Sequence, residues 1–380
     1  MDDRSLFVSA IDLSLGHLDE VLTSMAIHIM ILGAGITGLT SALALSDNLL
    51  DTVAKITIFD IRSTPATIGG AVNLTPKALR YLDCIGVHDI FLQNGFGARC
   101  TTIELFDLYS GSKYAELDFR GASGKGIGEP GKEHFSRRVM RSQLQWSLLN
   151  LLSEQNDTEI IYGKKVVEIV ESPQEVTLKF EDGETVSGDV LLGCDGIHSA
   201  VRSLLIDPER KPTYTGSSVV MATSTVRPEA TTPWKSTGLV SSRQGTLMCT
   251  YYSPNSPKQF VGAVMEIASV GSREGWHVRG SDQDAIKQDL LQKFASDKFP
   301  QNQALIEDAG EWNVYPVYML PEGGRWISPK GRCILLGDAA HAVSIVIPSA
   351  VSCATDTHRC RRKANRQVSV SRTPSSSVAE

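Results

Sequence analysis

Three closely spaced glycines near the start of the chain, Gly33, Gly35 and Gly38, form the pattern G-A-G-I-T-G. An apolar run at 26–32 precedes them and an Ala- and Leu-rich stretch at 36–45 follows, which predicts a strand, a tight turn and a helix. In this setting the first glycine permits the turn, the second lets the backbone approach a diphosphate, and the third lets helix and strand pack closely. The N–H groups at the start of the helix then favour an anion.

A carboxylate, Asp60, stands at the end of the next predicted strand, 55–59, about 20 positions after Gly38. A carboxylate at that place accepts hydrogen bonds from ribose hydroxyls and disfavours a 2′-phosphate. The glycine pattern and Asp60 together therefore predict a site for FAD or NAD rather than for NADP.

Two further strand ends carry an aspartate next to a glycine. Asp195 and Gly196 follow the apolar strand within 185–192, and Gly337 and Asp338 follow a predicted strand at 332–336. Open α/β sheets bind ligands at the carboxyl ends of their strands, so both pairs are candidate ligand contacts. Each pair alone fits an ordinary strand-to-helix turn equally well. Arg202, after the first pair, is a candidate for contact with a NAD(P)H phosphate or for an ion pair with an acid.

A parallel sheet must position these motifs, and both ends of the chain supply its strands. The strand–helix–strand unit at 26–59 implies parallel strands, because crossovers of this kind join them. Short β-rich runs separated by Pro, Gly and Ser occupy 212–320, with an amphipathic helix at 283–294. Helices are also predicted at 75–82 and 141–152, and strands at 166–170 and 176–180. The expected fold class is α/β, with a Rossmann-like nucleotide-binding domain that is discontinuous in sequence and a second β-rich domain.

Length, composition and charge exclude several classes of protein. The 380 residues are 42% hydrophobic and 21% charged, which excludes a disordered chain, a collagen and a coiled coil. The net charge of −6 disfavours a nucleic-acid partner. The seven cysteines contain no C-x-x-C pair, which favours free thiols in the cytoplasm. An almost uncharged run at 21–39 approaches membrane-spanning length, but its glycines and central histidine fit a strand and turn better, so no stable membrane span is expected.

In their order and spacing, the three motifs resemble those of the flavoprotein aromatic hydroxylases, FAD-dependent monooxygenases similar to p-hydroxybenzoate and salicylate hydroxylase. The segment 67–79, T-I-G-G-A-V-N-L-T-P-K-A-L, is most similar to fungal members that tailor polyketides and meroterpenoids. The resemblance covers roughly residues 26–343. It implies a glutathione-reductase-type FAD-binding domain, NAD(P)H and O2 as co-substrates, and a small aromatic or polyketide-type substrate in secondary metabolism.

The resemblance also implies roles for individual residues. Gly33, Gly35 and Gly38 would hold the FAD diphosphate, and Asp60 the adenosine ribose. The other implied contacts lie in three loops and at the start of one helix: Gly70 and Ala71, Asp195 and Gly196, Gly337 and Asp338, and Arg141. Arg141 opens R-S-Q-L-Q-W-S-L-L, which is similar to the family's FAD-contacting helix. Asp195 and Gly196 would serve both FAD and NAD(P)H, and Asp338 would hydrogen-bond the ribityl chain. No catalytic side chain is implied, since the flavin carries the chemistry.

The chain departs from the family pattern after Ala342. Family members continue as G-D-A-A-H-A-x-x-P-x-x-G-Q-G followed by an apolar helix, whereas residues 343–350 read V-S-I-V-I-P-S-A. The sequence therefore leaves open an active monooxygenase or a catalytically impaired FAD- or nucleotide-binding remnant that lacks the flavin loop. A dehydrogenase or halogenase on the same scaffold is a further alternative, although the halogenase signature W-x-W-x-I-P is absent from the sequence.

The predicted organisation has five segments. The tail is basic and Ser-rich and the leader lacks the pattern of a domain, so both are predicted to be disordered. Met25, directly before the first strand, is a candidate start. The segments are a leader at 1–24, the first part of the FAD-binding domain at 25–211, the β-rich substrate domain at 212–320, the return of the FAD-binding domain at 321–343, and the tail at 344–380.

Overall fold

A computed structural model of the chain describes residues 27–48, 53–67, 69–226, 232–253, 258–268 and 272–342. The predicted leader at 1–24, the candidate start at Met25 and the predicted tail at 344–380 lie outside these residues.

The first sheet is parallel, with five strands among the described residues. They are β1 (Ile27–Leu32), β2 (Val53–Asp60), β8 (Thr158–Tyr162), β12 (Val190–Gly193) and β18 (Cys333–Leu335). Their order across the sheet is β18-β12-β1-β2-β8. Helix α1 (Ile36–Asn48) connects β1 to β2, and α4 (Arg141–Leu152) packs beside α1. The predicted strand–helix–strand unit is thus present.

The central strand β1 is apolar on both faces because layers cover it from both sides. Ile29 and Ile31 pack in the core that contains Leu39 of α1. Met30 and Leu32 point the other way, into a core shared with a small antiparallel sheet. Alternation of side chains along a strand explains the division, and a continuous apolar run is what such a doubly covered strand requires.

The second sheet has seven strands within the described residues, in the order β17-β13-β16-β15-β14-β5-β6. They are β5 (Thr102–Asp107), β6 (Lys113–Asp118), β13 (Thr213–Ser224), β14 (Thr237–Ser242), β15 (Gly245–Tyr251), β16 (Gln259–Glu266) and β17 (Asn313–Met319). All neighbours are antiparallel except β14 and β5. Ile286, Leu290 and Phe294 pack in the apolar core of this sheet, as the helical spacing of 283–294 predicts.

Two three-stranded sheets and several helices complete the described fold. One sheet has the order β3 (Ala71–Leu74), β7 (Ser136–Met140), β4 (Ala98–Cys100), and the other β11 (Thr185–Gly188), β10 (Val176–Phe180), β9 (Val166–Glu171). The remaining α-helices are α2 (Pro76–Cys84), α3 (Val87–Gln93), α5 (Arg273–Ser281), α6 (Gln283–Phe294), α7 (Pro300–Asp308) and α8 (Asp338–His341). Thr75 caps α2 as its position before Pro76 predicts, with its hydroxyl accepting a hydrogen bond from Ala78 N.

The α/β fold class is confirmed, but the single strand predicted at 185–192 is wrong. Residues 185–188 pair antiparallel with β10, whereas 190–193 pair parallel with β1. Asp189 separates the two strands, and its carboxylate accepts a hydrogen bond from His28 N at 2.8 Å. Gly188 permits the change of sheet because a Cβ there would lie 2.9 Å from Met30 Cγ.

The described residues also bear on the thiols and on membrane insertion. The five cysteines in the described part of the chain are free, of which Cys84 is exposed and Cys100, Cys194, Cys249 and Cys333 are buried. Among the described helices, none is both long and apolar enough to cross a membrane.

Glu171, at the end of β9, joins a small sheet to the segment before β18. Its buried carboxylate accepts hydrogen bonds from Ser328 Oγ, from Lys330 N at 3.1 Å and from Arg332 N at 2.9 Å. Three donors therefore depend on one side chain, and removing it leaves all three without their acceptor.

We expect Glu171→Ala to lower the free energy of unfolding by about 2–4 kcal/mol, because buried donors without an acceptor are costly. Glu168→Ala on the same strand is the matched control, since Glu168 is exposed and only approaches Lys179, at 3.5 Å. Its effect should stay within about 0.5 kcal/mol. Urea unfolding followed by circular dichroism measures both, and equal effects would contradict the role given to Glu171.

Candidate cofactor site

Four parallel strands end side by side at one edge of the first sheet. In the registers, Leu32 of β1 lies beside Phe59 of β2 and Gly193 of β12, and Gly193 lies beside Leu335 of β18. The turns that follow these strands are therefore neighbours. This edge carries the predicted FAD contacts Gly33, Gly35, Gly38, Asp60, Asp195, Gly196, Gly337 and Asp338.

The glycine-rich turn is compact because two of its glycines touch backbone. Gly33 has φ +111°, and a Cβ there would lie 2.5 Å from the carbonyl oxygen of Cys194. A Cβ on Gly38 would lie 1.9 Å from the carbonyl oxygen of Gly33. A Cβ on Gly35 would meet no atom of the described residues within 4 Å. Gly33 and Gly38 are thus required by the protein itself, whereas Gly35 borders open space at the start of α1.

Asp60 is buried and fixes the shape of the same turn. Its Oδ2 accepts a hydrogen bond from Ala34 N at 2.8 Å, and its Oδ1 accepts one from Arg62 N at 2.8 Å. Each oxygen keeps a further lone pair, so the carboxylate can also accept a hydrogen bond from a hydroxyl of a ligand.

Tyr162 is a candidate ligand contact that the sequence patterns did not indicate. It lies opposite Asp60 in the register of β2 and β8. Burial, and next the charge of Asp60, raise the pKa of Tyr162. Its buried hydroxyl has no hydrogen-bond partner within the described part of the chain. The sequence signal for Tyr162 is its position at the end of a β-branched run. The pairing of β8 with β2 could not be predicted from local sequence, because about 100 residues separate the two strands.

In the second strand-end motif, Asp195 and Gly196, only one of the two carboxylate oxygens of Asp195 accepts hydrogen bonds from the described residues. Asp195 Oδ2 accepts hydrogen bonds from Ala200 N at 2.6 Å and Val201 N at 3.2 Å. Its Oδ1 is buried and has no partner among the described residues. Burial raises the pKa of the Asp195 carboxyl, although the hydrogen bonds it accepts act in the opposite direction. A donor on a bound ligand would satisfy the free oxygen.

The third motif contacts the first directly. Gly337 has φ +59°, and a Cβ there would lie 2.5 Å from Thr37 Oγ1 in α1. Asp338 follows, opens α8 and is exposed. The end of β18 and the start of α1 therefore pack so closely that there is no room for a side chain at position 337.

Arg202 connects the loop after Asp195 to the loop after Gly337. Neither of the two roles expected for it, contact with a NAD(P)H phosphate or an ion pair with an acid, describes this arrangement. Its buried guanidinium donates hydrogen bonds to the carbonyl oxygens of Ala339, at 2.8 Å, Ile197 and Arg210. Burial lowers the pKa of Arg202, with the charge of Asp195 opposing that effect. Since backbone carbonyls take its donor nitrogens, the side chain holds loops together instead of facing a phosphate or forming an acid pair.

The predicted contacts Gly70, Ala71 and Arg141 also meet. Arg141 N donates to the carbonyl oxygen of Gly70 at 3.0 Å, and Ala71 pairs with Met140 at the start of α4. The Nε of Arg141 is buried and has no partner within the described residues. A Cβ on Gly70 would lie 1.9 Å from the Phe260 ring of the second sheet. The loop between β2 and β3 thus contacts the second sheet.

Gln145, one turn after Arg141 and not singled out from the sequence, ties this group to the glycine-rich turn. Its buried amide donates hydrogen bonds to the carbonyl oxygens of Ala34, at 3.3 Å, and Ala66, at 3.2 Å. A polar residue on the apolar face of α4 was the available signal, because a buried amide needs partners.

A parallel sheet with a glycine-rich turn and carboxylates at the carboxyl ends of its strands defines a dinucleotide-binding α/β protein. The family described as "FAD binding domain" matches residues 26–347. The chain belongs to this family.

Characterised relatives are similar over most of this chain. FAD-dependent urate hydroxylase of Klebsiella pneumoniae is 26% identical over 323 residues, covering 83% of this chain and 75% of that protein. 6-methylsalicylate 1-monooxygenase atA of Aspergillus terreus is 25% identical over 342 residues, covering 84% and 70%. The crystal structure of Klebsiella pneumoniae HpxO complexed with FAD and uric acid has a TM-score of 0.66 at 22% identity, covering 85% of this chain and 75% of that one. This structural likeness shows the fold.

The chain is accordingly an enzyme of the FAD-dependent monooxygenase class with FAD as its cofactor, and the resemblance drawn from the sequence is confirmed. The geometry fits this group, because a Cβ on Gly35 at this edge would meet open space and Asp195 Oδ1 is buried without a partner among the described residues. At the start of α4, Arg141 Nε is likewise buried without a partner within the described part of the chain. The assignment of individual residues to parts of FAD stays a prediction.

We expect Gly38→Ala and Gly35→Ala to separate folding from cofactor binding. Gly38→Ala should lower the free energy of unfolding of the FAD-free protein by about 3 kcal/mol or more, because the methyl group would overlap a carbonyl oxygen. Gly35→Ala should leave it within about 1 kcal/mol, yet weaken FAD binding at least tenfold, since its methyl group would occupy the place of the diphosphate. Urea unfolding and titration of flavin fluorescence measure the two effects.

Gly280→Ala is the control, because a Cβ at this helical position in α5 would also meet no described atom within 4 Å. Unchanged FAD affinity in Gly35→Ala would contradict the placement of the diphosphate.

We expect Asp338→Ala to weaken FAD binding about tenfold, because one hydrogen bond from the ligand to a charged acceptor is lost. Asp284→Ala is the matched control, since Asp284 is likewise exposed and likewise lies in the first turn of a helix, α6. Both variants should unfold within about 0.5 kcal/mol of the parent. Equal FAD dissociation constants for the two variants, measured by equilibrium dialysis, would refute the role of Asp338.

Proposed function

We propose that the chain uses NAD(P)H and O2 to hydroxylate or epoxidise a small aromatic or polyketide-type molecule. The observation that carries the proposal is the convergence of the three strand-end motifs at one edge of the parallel sheet. Helix α4 links this edge to the Gly70 loop, because Gln145 donates to Ala34 O and Arg141 N donates to Gly70 O, and Phe260 of the second sheet contacts Gly70. The names of the relatives, a urate hydroxylase and a 6-methylsalicylate monooxygenase, support an aromatic substrate.

In this proposal bound FAD supplies the redox chemistry with NAD(P)H and O2. The residues of the chain bind and orient it. The turn at Gly33, Gly35 and Gly38 holds the diphosphate at the start of α1, and Asp60 accepts hydrogen bonds from the ribose.

The free oxygen of Asp195, the side chain of Asp338 and the free Nε of Arg141 hold the remainder of FAD. Gly196 lets the chain turn away beside it, and Gly337 keeps the third motif against α1. Gly70 and Ala71 border the flavin on the side of the second sheet, where Phe260 excludes water. Arg202 and Gln145 act as positioning residues, because each hydrogen-bonds backbone carbonyls of these loops.

We further propose that residues 25–211 and 321–343 form the FAD-binding domain and that 212–320 form the substrate domain. Four described strands of the parallel sheet come from the first range and β18 comes from the second range. Five of the seven described strands of the other sheet come from 212–320. Strands β5 and β6 join that sheet from within the first range, so the substrate side also draws on residues 102–118.

We propose a cytoplasmic location and a role in secondary metabolism. The free state of the described cysteines supports a reducing compartment. The fungal relative that acts on 6-methylsalicylate supports the metabolic role.

The test is steady-state oxidation of NADH and NADPH by the FAD-loaded full chain, with and without a panel of phenols and aromatic acids that includes urate and 6-methylsalicylate. We expect one or more compounds to stimulate oxidation at least tenfold. With isotopically labelled O2, mass spectrometry should find one labelled oxygen atom in the product.

Stoichiometric FAD binding without oxidation of either nicotinamide would support the alternative, a catalytically impaired FAD-binding remnant that lacks the flavin loop. Oxidation that yields only hydrogen peroxide with every compound would contradict the proposed substrate class.

A further inference from the structure

Asp83, His88 and His134 form a cluster of metal-binding side chains away from the predicted FAD contacts. Asp83 lies in the last turn of α2 and His88 in the first turn of α3, on either side of the turn at Ile85 and Gly86. His134 comes from a distant part of the chain, just before β7. Two short elements and one long loop therefore bring these residues together.

The ligand atoms of the cluster are close enough to share one ion. His88 Nδ1 lies 3.3 Å from Asp83 Oδ1, and His134 Nε2 lies 3.6 Å from Asp83 Oδ2. All three ligand atoms lie within 4.8 Å of one another. The two imidazole rings meet edge to face, with centroids 5.2 Å apart.

The distances in the cluster are compatible with a shared metal ion, although the His88 Nδ1–Asp83 Oδ1 contact at 3.3 Å is also a hydrogen bond. A nitrogen–oxygen separation of 3.6 Å exceeds the usual hydrogen-bond range. Around Zn2+, ligand atoms at about 2.0–2.1 Å from the ion in tetrahedral geometry are about 3.3 Å from one another. Two imidazoles and a carboxylate are also donors that Zn2+ prefers.

The burial of the cluster suits an ion that enters from solvent. The side chains of His88 and His134 are 18% and 11% exposed, whereas Asp83 is 44% exposed. The rings are therefore held by their surroundings, and the carboxylate faces the entry path. Three protein ligands leave a fourth position for water.

A metal at this place would fasten the glycine-rich segment 120–134 to the α2–α3 corner. The segment folds back on itself through paired backbone hydrogen bonds between Ile127 and His134, at 2.9 Å and 3.1 Å. Strand β7 begins directly after it and ends at Met140, next to Arg141. The cluster thus lies at the end of β7 remote from the predicted FAD contact.

We propose that Asp83, His88 and His134 form a binding site for a divalent transition-metal ion of the Zn2+ type, which ties the 120–134 segment to α2 and α3. The site takes no part in the flavin reaction. Its occupancy stabilises the fold by binding the native chain and not the unfolded one.

The experiment uses the untagged, FAD-loaded full chain after removal of metal by a chelator, with Zn2+ measured by calorimetry and Co2+ by its visible absorption. We expect one ion per chain and a cobalt spectrum of tetrahedral intensity, with a melting temperature that rises on adding Zn2+. Because loss of even an outer-shell partner costs about 10–100-fold in affinity, His88→Asn and His134→Asn should each weaken binding at least tenfold.

His277→Asn is the matched control, since His277 is exposed on α5 and should leave binding unchanged. Flavin absorbance and circular dichroism check that each variant is folded, and Asp83→Asn provides a third variant of nearly the same shape. Absence of stoichiometric binding to the parent chain overturns the proposal without reference to any variant. Binding that is equal in the parent and in all three ligand variants also overturns it.

Discussion

The close contact between the turn after β1 and the neighbouring strand end is the constraint on which the rest of the site depends. Gly33 lies against the carbonyl of Cys194, and Gly38 lies against the carbonyl of Gly33. Side chains at these two places would separate β1 from β12 and lift α1 from the sheet. Without that packing, the strand ends that carry Asp60 and Asp195 would not share an edge.

Buried hydrogen bonds to backbone carbonyls then keep the loops at this edge in fixed positions. Arg202 connects the loops after β12 and β18, and Gln145 connects α4 to the glycine-rich turn. Neither side chain needs a carboxylate as hydrogen-bond acceptor, because the backbone carbonyl oxygens of these irregular loops are not paired within the sheet and can accept instead. Arg202 and Gln145 thus hold the loops, whereas Asp195 Oδ1 and Arg141 Nε have no hydrogen-bond partner among the described residues.

Much of this could be predicted from local sequence. The apolar run before Gly33, the helical spacing at 283–294 and the cap at Thr75 each determine structure within a few residues, and all three are confirmed. The prediction at 185–192 failed because β-branched residues favour a strand without indicating its partner. Three features could not be predicted from the spacing of residues, because each depends on contacts between distant parts of the chain. They are the position of Tyr162, the role of Arg202 and the strands at 102–118.

The order of strands in the parallel sheet has a consequence for how the protein is made. Strand β18 pairs with β12 although about 140 residues, most of the second sheet, separate them. A growing chain that has already formed β1, α1 and β2 still lacks the edge strand and the Gly337–Asp338 turn. During synthesis, this edge of the sheet is therefore completed only after the second sheet has been translated. If FAD binds at this edge as proposed, its loading would be a late event coupled to the last steps of folding.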